Sequence, residues 1–331
     1  MNLHTSYMGF ELKNPLIAGS SPLSGSFDGV RGLEDAGAAC VVLHSLFEEQ
    51  ITRERLALEH YLCEGVESYA EALSYLPEPD TFDNLDADHY LEEISALKRS
   101  LEIPLVASIN GVSPGGWVRY ARRLEEAGAD AIELNITYIP TDPSMSGSAV
   151  EERYLEDLRN VRAHTTLPIA VKMPPRFSAP ANMAKAFEQE GAQGIVLFDR
   201  PVHTDIDLET LTARHRVSLS TSEELSEGLR WAAILYKELK ISIALSTGVH
   251  THEDVLKAMM SGADAVQMTA ALLRHGPGHL GKVLKNLQEW MEQREYESIV
   301  QMKGCLSLSH CPDKSAYQRA NYMHLLQEYR P

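Results

Sequence analysis

One short pattern occurs four times along the chain, and it constrains the fold more than any other feature. Each copy is the end of a predicted helix, followed by Gly-Ala and then by a short apolar run. The glycines of the four copies are Gly37, Gly128, Gly191 and Gly262. Glycine readily adopts the left-handed backbone conformation that ends a helix, and a continuous apolar run suits a strand buried on both faces. Four such joints predict a parallel sheet whose strands alternate with helices.

Four further apolar runs complete a set of eight predicted strands. The strands are 15–18, 40–43, 104–109, 131–134, 168–173, 194–197, 241–246 and 265–268. The helical patterns between them are 27–36, 87–101, 117–127, 151–165, 180–190, 223–239, 251–261 and 278–294. Eight βα units in one chain predict an α/β protein with a (β/α)₈ TIM barrel. A doubly wound open sheet is the alternative, but its first βα turn would carry G-x-G-x-x-G, and residues 18–22 do not.

The predicted barrel covers residues 1–297, and residues 298–331 form a C-terminal extension that we expect to pack on its outside. Two long segments, 46–86 and 199–222, each follow a predicted strand. Loops that follow barrel strands lie over the C-terminal face, where the active sites of such barrels are found. Long loops in compact domains usually serve as lids or binding loops.

Charge and cysteine content argue against several classes of function. The 331 residues include 30 Lys and Arg and 47 Asp and Glu, a net charge of −17, which argues against binding to nucleic acid or to an anionic membrane surface. No apolar run reaches the roughly 18 residues of a membrane span, so we expect a cytoplasmic protein. Cys305, His310 and Cys311 lack a fourth ligand and the usual cysteine spacing, so we predict no metal site.

The C-terminal ends of the predicted strands carry polar side chains. They are Gly19, Ser20, Ser21, His44, Ser45, Asn110, Glu133, Asn135, Lys172, Asp199, Arg200, Ser246, Thr247, Gly248 and Thr269. Each alone is explained as a turn or cap residue, but together they predict one large polar ligand. Backbone N–H groups after the last two strands would hold a phosphate. Lys172 ends an apolar strand and needs a partner, either Glu133 in a salt bridge or an electron-rich or anionic ligand.

Several of these residues lie in segments that resemble one known family. The segments are 14–20 (NPLIAGS), 133–135 (ELN), 170–175 (AVKMPP), 246–249 (STGV) and 261–263 (SGA). In order and spacing they are similar to the dihydroorotate dehydrogenase family, from about Leu3 to Met302. The start at Leu3 and the stretch 45–51 (SLFEEQI) look most like the branch called dihydroorotate dehydrogenase-like.

The resemblance implies an FMN-binding barrel that oxidises a CH–CH bond beside a carbonyl group, with hydride passing to the flavin. It implies flavin contacts from Gly19, Ser20 and Ser45, and a contact of Asn110 and Asn135 with the flavin or the substrate. It places Lys172 at the pyrimidine end of the flavin, where a cation favours the reduced anion. It assigns the FMN phosphate to the turn at Ser246, Thr247 and Gly248 and to Thr269.

The substrate side departs from the family pattern. The position of the family's Cys or Ser base holds Tyr138, a poor base because a free tyrosine titrates near ~10. Thr137 beside it has no evident activator. The family's Lys after the second strand is replaced by His44, whose ordinary pKa suits proton transfer, although a purely hydrogen-bonding role also fits. We expect Tyr138, His44 and Lys172 to be the catalytic groups.

The sequence thus predicts an FMN-dependent oxidoreductase of a small, pyrimidine-like molecule that does not oxidise dihydroorotate efficiently. The alternatives are a flavin-binding protein without turnover and another phosphate-binding barrel such as an aldolase or isomerase. No iron–sulfur or dinucleotide motif appears, so any electron acceptor or redox partner protein must be separate. A homodimer is expected from the resemblance alone.

Overall fold

The computed structural model describes residues 1–47, 87–111, 120–200, 203–216, 218–312, 314–318 and 327. Its strands are β1 (Thr5–Tyr7), β2 (Phe10–Leu12), β3 (Leu16–Ala18), β4 (Cys40–Phe47), β5 (Leu105–Asn110), β6 (Ala131–Asn135), β7 (Ile169–Met173), β8 (Gly194–Leu197), β9 (His203–Asp207), β10 (Thr212–Arg216), β11 (Ser242–Leu245) and β12 (Ala265–Met268). Eight of them form a closed parallel barrel in the order β11-β12-β3-β4-β5-β6-β7-β8. The predicted TIM barrel is confirmed.

The described helices surround this barrel. They are α1 (Phe27–Asp35), α2 (Ala87–Lys98), α3 (Tyr120–Ala127), α4 (Gly147–Arg162), α5 (Pro180–Gln189), α6 (Leu225–Leu235), α7 (His252–Ser261), α8 (Ala270–His275), α9 (His279–Gln293), α10 (Ile299–Met302) and α11 (Ser315–Gln318). Each predicted strand and helix has a counterpart that differs by a few residues at its ends. None of the described helices is long and apolar enough to cross a membrane.

The four Gly-Ala joints share one geometry. Gly37, Gly128, Gly191 and Gly262 all have φ between +93° and +119°. The alanine after each glycine donates its N–H to a carbonyl five residues earlier in the preceding helix, as Ala38 does to Leu33 at 3.0 Å. This 6→1 bond is the Schellman closure, which satisfies a carbonyl left unpaired at the helix end. The repeated pattern in the sequence is therefore one local structure used four times.

The antiparallel hairpin β1–β2 closes the N-terminal end of the barrel. Tyr7 and Met8 at its turn are buried among the small residues that fill the barrel interior. Met8 N–H donates to Ser242 Oγ (2.9 Å), and Thr5 Oγ1 donates to the Asp264 carbonyl (2.8 Å). A side chain at Gly194 would contact Met8, so this end is tightly filled and the open end is the one at which the strands terminate.

The two long segments predicted after strands, 46–86 and 199–222, differ in how much of each the structure describes. Strand β4 continues to Phe47, and residues 48–86 lie outside the described residues. The segment 199–222 contains the antiparallel hairpin β9–β10, which the sequence pattern does not indicate. The start of the C-terminal extension packs on α6 and α7, where Leu308 N–H donates to Ala233 (2.9 Å) and Gly304 N–H donates to Met259 (2.9 Å).

Candidate active site

A cavity of about 680 Å³ opens at the C-terminal ends of the barrel strands. Its size is that of a small-molecule or cofactor site, for which roughly 300–1,000 Å³ is typical. The residues that line it are Ser20, Ser21, Pro22, Gly25, His44, Ser45, Phe47, Asn110, Asn135, Lys172, Asp199, Arg200, Ser218, Leu219, Ser220, Ser246, Thr247, Gly248, Val249, Gln267, Thr269, Ala270 and Leu273. All the residues predicted for the site are among them except Gly19, Glu133 and Tyr138.

Strand order divides these residues into two sides. Asn110, Asn135 and Lys172 come from the neighbouring strands β5, β6 and β7, and we call this the β5–β7 side. Thr247 and Thr269 follow the adjacent strands β11 and β12 across the barrel, and we call this the β11–β12 side. The loop after β8 lies between the two sides.

A buried network of charges lies at the base of the cavity. Lys172 Nζ donates to Glu133 Oε1 (3.1 Å) and to Gln267 Oε1 (3.3 Å), while the Gln267 amide donates to the second oxygen of Glu133. Burial alone would lower the pKa of Lys172, but the carboxylates of Glu133 and Asp199 outweigh it and raise that pKa. Lys172 is therefore charged at neutral pH. Of the two partners that the sequence leaves open, Glu133 is present as a salt bridge, and the Lys172 side chain also lines the cavity where a ligand would bind.

Asp199 and Arg200 both follow β8, but among the described residues only Arg200 forms a salt bridge. Arg200 donates to the Ser218 carbonyl (2.6 Å) and pairs with Glu224 (2.6 Å). The Asp199 carboxylate accepts a long hydrogen bond from Thr137 (3.5 Å). Burial raises the pKa of Asp199, and the nearby Lys172 only partly offsets that rise. No salt bridge to Asp199 occurs among the described residues.

A bulge in β4 brings two consecutive side chains to the cavity. The pairing of β4 with β5 shifts by one residue between Val42 and Ser45, and such bulges often redirect side chains at active sites. His44 and Ser45 both line the cavity as a result. The buried Tyr90 hydroxyl donates to the His44 carbonyl (2.9 Å) and accepts from the Ser108 N–H (3.2 Å). It thereby satisfies backbone groups that the bulge leaves without ladder partners.

The His44 ring has a defined orientation. Its Nδ1 lies 3.2 Å from the Ser24 carbonyl, and its plane meets the Tyr90 ring edge-on at 4.9 Å between centroids. Because a carbonyl only accepts, the Nδ1 atom carries the proton, which leaves Nε2 of the neutral ring as an acceptor. The side chain can therefore take up a proton without losing its contact with Ser24.

Backbone conformation shapes the β11–β12 side. Thr247 and Gly248 have φ of +65° and +89°, and a Cβ on Gly248 would lie 2.4 Å from the Leu225 nitrogen. Gly19 lies directly behind Thr269, whose hydroxyl would be 2.4 Å from a Cβ there. Gly19 therefore does not line the site, but a side chain there would displace the Thr269 hydroxyl, and a side chain at Gly248 would meet the Leu225 backbone.

The segment 218–220 folds over the β11–β12 side. The buried Ser220 hydroxyl accepts from the Gly248 N–H (3.2 Å) and lies 3.2 Å from His250 Nε2. Burial, together with Arg274, lowers the pKa of His250, so this ring is neutral near pH 7. Arg274 in turn donates to the Leu219 carbonyl (3.0 Å). Hydroxyl, imidazole and backbone groups are thus held together beside the turn.

Tyr138 lies away from these groups. Its hydroxyl donates to Met145 Sδ (3.5 Å), and the Arg153 guanidinium covers its ring at 4.2 Å. The ring packs against the edge of the outer hydrophobic core. Its role as a base stays a prediction, and its hydroxyl would have to leave Met145 to reach the cavity.

Three parts of the site were not among the residues predicted to act. Gln267 had a visible signal, since it is a polar residue inside an apolar strand. Asp199 and Arg200 were recognised as strand-end residues but received no role. Ser218 to Ser220 lie in a long insertion where no periodicity indicates contact with a distant turn.

A closed βα barrel with a buried lysine under its mouth and a positive-φ Thr-Gly turn after β11 defines a barrel enzyme for a polar ligand. Residues 81–291 match the family model described as dihydroorotate dehydrogenase. The chain therefore belongs to the dihydroorotate dehydrogenase family, whose members are oxidoreductases that act on CH–CH donors.

Curated relatives agree with this assignment. The catalytic subunit of dihydroorotate dehydrogenase B (NAD(+)) from Thermoplasma acidophilum is 27% identical over 310 residues, covering 92% of this chain and 98% of the relative. The PreA subunit of NAD-dependent dihydropyrimidine dehydrogenase from Escherichia coli is 26% identical over 328 residues, covering 92% of this chain and 76% of the relative. Dihydroorotate dehydrogenase A (fumarate) from Lactobacillus delbrueckii is 25% identical over 320 residues, covering 92% and 98%.

Proposed function

We propose that the cavity binds FMN and that the chain oxidises or reduces a CH–CH bond of a small, pyrimidine-like molecule. The observation that carries this proposal is the joining, in one cavity, of a charged buried lysine on the β5–β7 side with a hydroxyl-rich glycine turn on the β11–β12 side. Family membership and relatives named dihydroorotate and dihydropyrimidine dehydrogenases support the reaction type and the substrate class.

The donor set suits FMN. Ser246 and Thr269 line this side and offer hydroxyl donors for a phosphate. The Thr247 hydroxyl and the Gly248 N–H donate to the Phe198 carbonyl and to Ser220, and a phosphate would have to replace those acceptors to bind them. Lys172 offers a cation for an electron-rich ring. When bound, FMN supplies a ring that exchanges a hydride with a substrate carbon and passes electrons to an acceptor.

The chain's own residues would then position the reactants. Lys172 is fixed by Glu133 and Gln267, so its charge is held in place before any ligand arrives, and such preorganisation is a main source of electrostatic catalysis. Asn110 and Asn135 end neighbouring strands and offer amide groups that both donate and accept. Ser20 and Ser45 add hydroxyls, with Ser45 Oγ 2.8 Å from Ser108 Oγ.

We propose His44 as the group that exchanges the proton with the substrate. Oxidation of a CH–CH bond removes one hydride and one proton, and the proton needs an acceptor within reach. His44 lines the cavity, its Nδ1 is committed to Ser24 and its Nε2 is the accepting atom. Tyr138 remains the second candidate, although Arg153 covers its ring.

Two measurements test this function. The purified protein should show flavin absorption bands near ~450 nm and release FMN on denaturation; a colourless protein that takes up no added FMN would refute the proposal. Under anaerobic conditions, the neutral dihydropyrimidine dihydrouracil should bleach those bands. His44→Gln should slow the bleaching by about 10²–10⁴-fold without loss of flavin, whereas Tyr138→Phe should leave it nearly unchanged; the opposite ranking would assign the proton to Tyr138.

We propose that electrons leave through a separate acceptor or partner chain. Two of the relatives are named as subunits of NAD-linked dehydrogenases, and the sequence of this chain has no dinucleotide motif of its own. The homodimer and the cytoplasmic location stay predictions.

A further inference from the structure

Among the described residues, the cavity carboxylate of Asp199 has no salt-bridge partner, and it marks the part of the site that the cofactor proposal leaves unassigned. Asp199 follows β8, where its N–H donates to the Met173 carbonyl (2.8 Å) and so fixes the residue to the end of β7. Its carboxylate lies beside Thr137 and lines the cavity next to Lys172. The backbone of Asp199 is therefore held in place, and its carboxylate faces the cavity where a ligand could bind.

The cations around Asp199 are already committed to other groups. Lys172 pairs with Glu133 at 3.1 Å, and Arg200 pairs with Glu224 at 2.6 Å. Arg200 also donates two hydrogen bonds to Ser218, one to its carbonyl and one to its hydroxyl. With both positive charges matched, Asp199 leaves an excess negative charge in this part of the cavity.

We propose that Asp199 is a specificity-determining residue that selects neutral heterocycles with ring N–H donors and rejects molecules that carry a carboxylate. This inference rests on the proposed function and concerns the substrate end of the same cavity. A carboxylate accepts hydrogen bonds and gives none, so it forms charge-assisted bonds with an N–H donor. A second carboxylate placed beside it would be repelled, strongly so in a half-buried site where screening is poor.

The energetics of Asp199 support a functional reason for its presence. Burial of the carboxyl without a paired cation raises its pKa and disfavours the ionised form in the folded protein. Isosteric asparagine would keep the shape and avoid this cost. Groups held in such an environment cluster at functional sites, and a selection against anionic ligands is a role that only the charge can perform.

The experiment compares uracil with orotate, which is uracil bearing one carboxylate, by isothermal titration calorimetry on the flavin-loaded protein. The wild-type protein should bind uracil at least tenfold more tightly than orotate. Asp199→Asn should reduce that preference at least fivefold, mainly by tightening orotate binding. Asp35→Asn is the matched control, because Asp35 is an exposed aspartate at the end of α1, and it should keep the wild-type preference.

Each outcome has a separate meaning. A wild-type protein that prefers orotate, or that binds neither compound, overturns the inference without the need for any variant. An unchanged preference in Asp199→Asn overturns it as well. A protein without flavin contradicts the proposed function instead, and the absorption spectrum recorded before the titration distinguishes the two failures.

Discussion

Different kinds of interaction shape the two sides of the cavity. The β5–β7 side depends on buried charges, since Lys172 is held between Glu133 and Gln267. The β11–β12 side depends on backbone shape, since Thr247 and Gly248 have positive φ and Gly19 leaves room for Thr269. The first side should therefore be sensitive to changes of charge at constant shape, and the second to changes of shape at constant charge.

The largest effect is expected on the β5–β7 side. Glu133→Gln keeps the shape but leaves Lys172 buried without its main counter-charge, and removal of one partner of a buried pair costs about 3–5 kcal/mol. Urea unfolding at pH 7 measures it. The double variant Glu133→Gln with Lys172→Met should be more stable than Glu133→Gln alone, because the uncompensated charge is gone. A double variant that loses the sum of both single effects would show that the pair is not the source.

A shape change should disturb the β11–β12 side next most. Gly248→Ala introduces a methyl group 2.4 Å from the Leu225 backbone at a φ of +89°, and we expect a loss of about 3 kcal/mol. Gly9→Ala is the matched control, because Gly9 has a φ of +85° with no atom within 4 Å of the added carbon. It should lose only about 1 kcal/mol, the cost of the backbone conformation. Equal losses in denaturant titrations would contradict the close-approach argument.

A smaller loss should follow removal of the hydroxyl that joins the segment 218–220 to the turn. Ser220→Ala leaves the Gly248 N–H and His250 Nε2 without their partner, and we expect a cost of about 1–2 kcal/mol. Ser6→Ala changes an exposed serine in β1 and should stay within about 0.5 kcal/mol of the wild type. If Ser220→Ala also matched the wild type, the Ser220 contact would contribute nothing to this side.

The smallest expected effect has the opposite sign. The pKa of Asp199 is raised in the folded protein above its ordinary value of 3.8. Its contribution to stability is therefore fully present below about pH 3.8 and is lost as the pH rises through the folded-state pKa. Asp199→Asn should be slightly more stable than the wild type at pH 7, with a gain that shrinks as the pH falls toward 4. A gain that grew in acid would reverse the assignment.

The parts of the molecule that could be predicted from its sequence are those that depend on interactions between residues a few positions apart. The Gly-Ala joints and apolar runs locate all eight barrel strands because each follows from glycine conformation and burial within a few residues. The strand ends locate most of the cavity because the barrel brings those ends together whatever the loops do.

The residues that sequence reasoning left without a role depend on contacts between distant segments. Ser220 reaches Gly248 only because a hairpin of unpredicted shape returns the chain across the mouth. Asp199 becomes important only when Lys172 and Arg200 are seen to be paired elsewhere. Tyr138 occupies the position of the family's base, but Met145 and Arg153 surround it, and no local pattern announces such neighbours.

The hairpin β1–β2, which packs Tyr7 and Met8 into the barrel interior, has a kinetic consequence. Among the described residues this hairpin fills the base of the barrel and leaves the cavity open at the strand ends, so an electron donor and an electron acceptor would use the same opening. Two small reactants that share this opening and one binding surface would bind alternately, each leaving before the other binds. A protein acceptor could instead take electrons at the edge of the opening while the first reactant is bound.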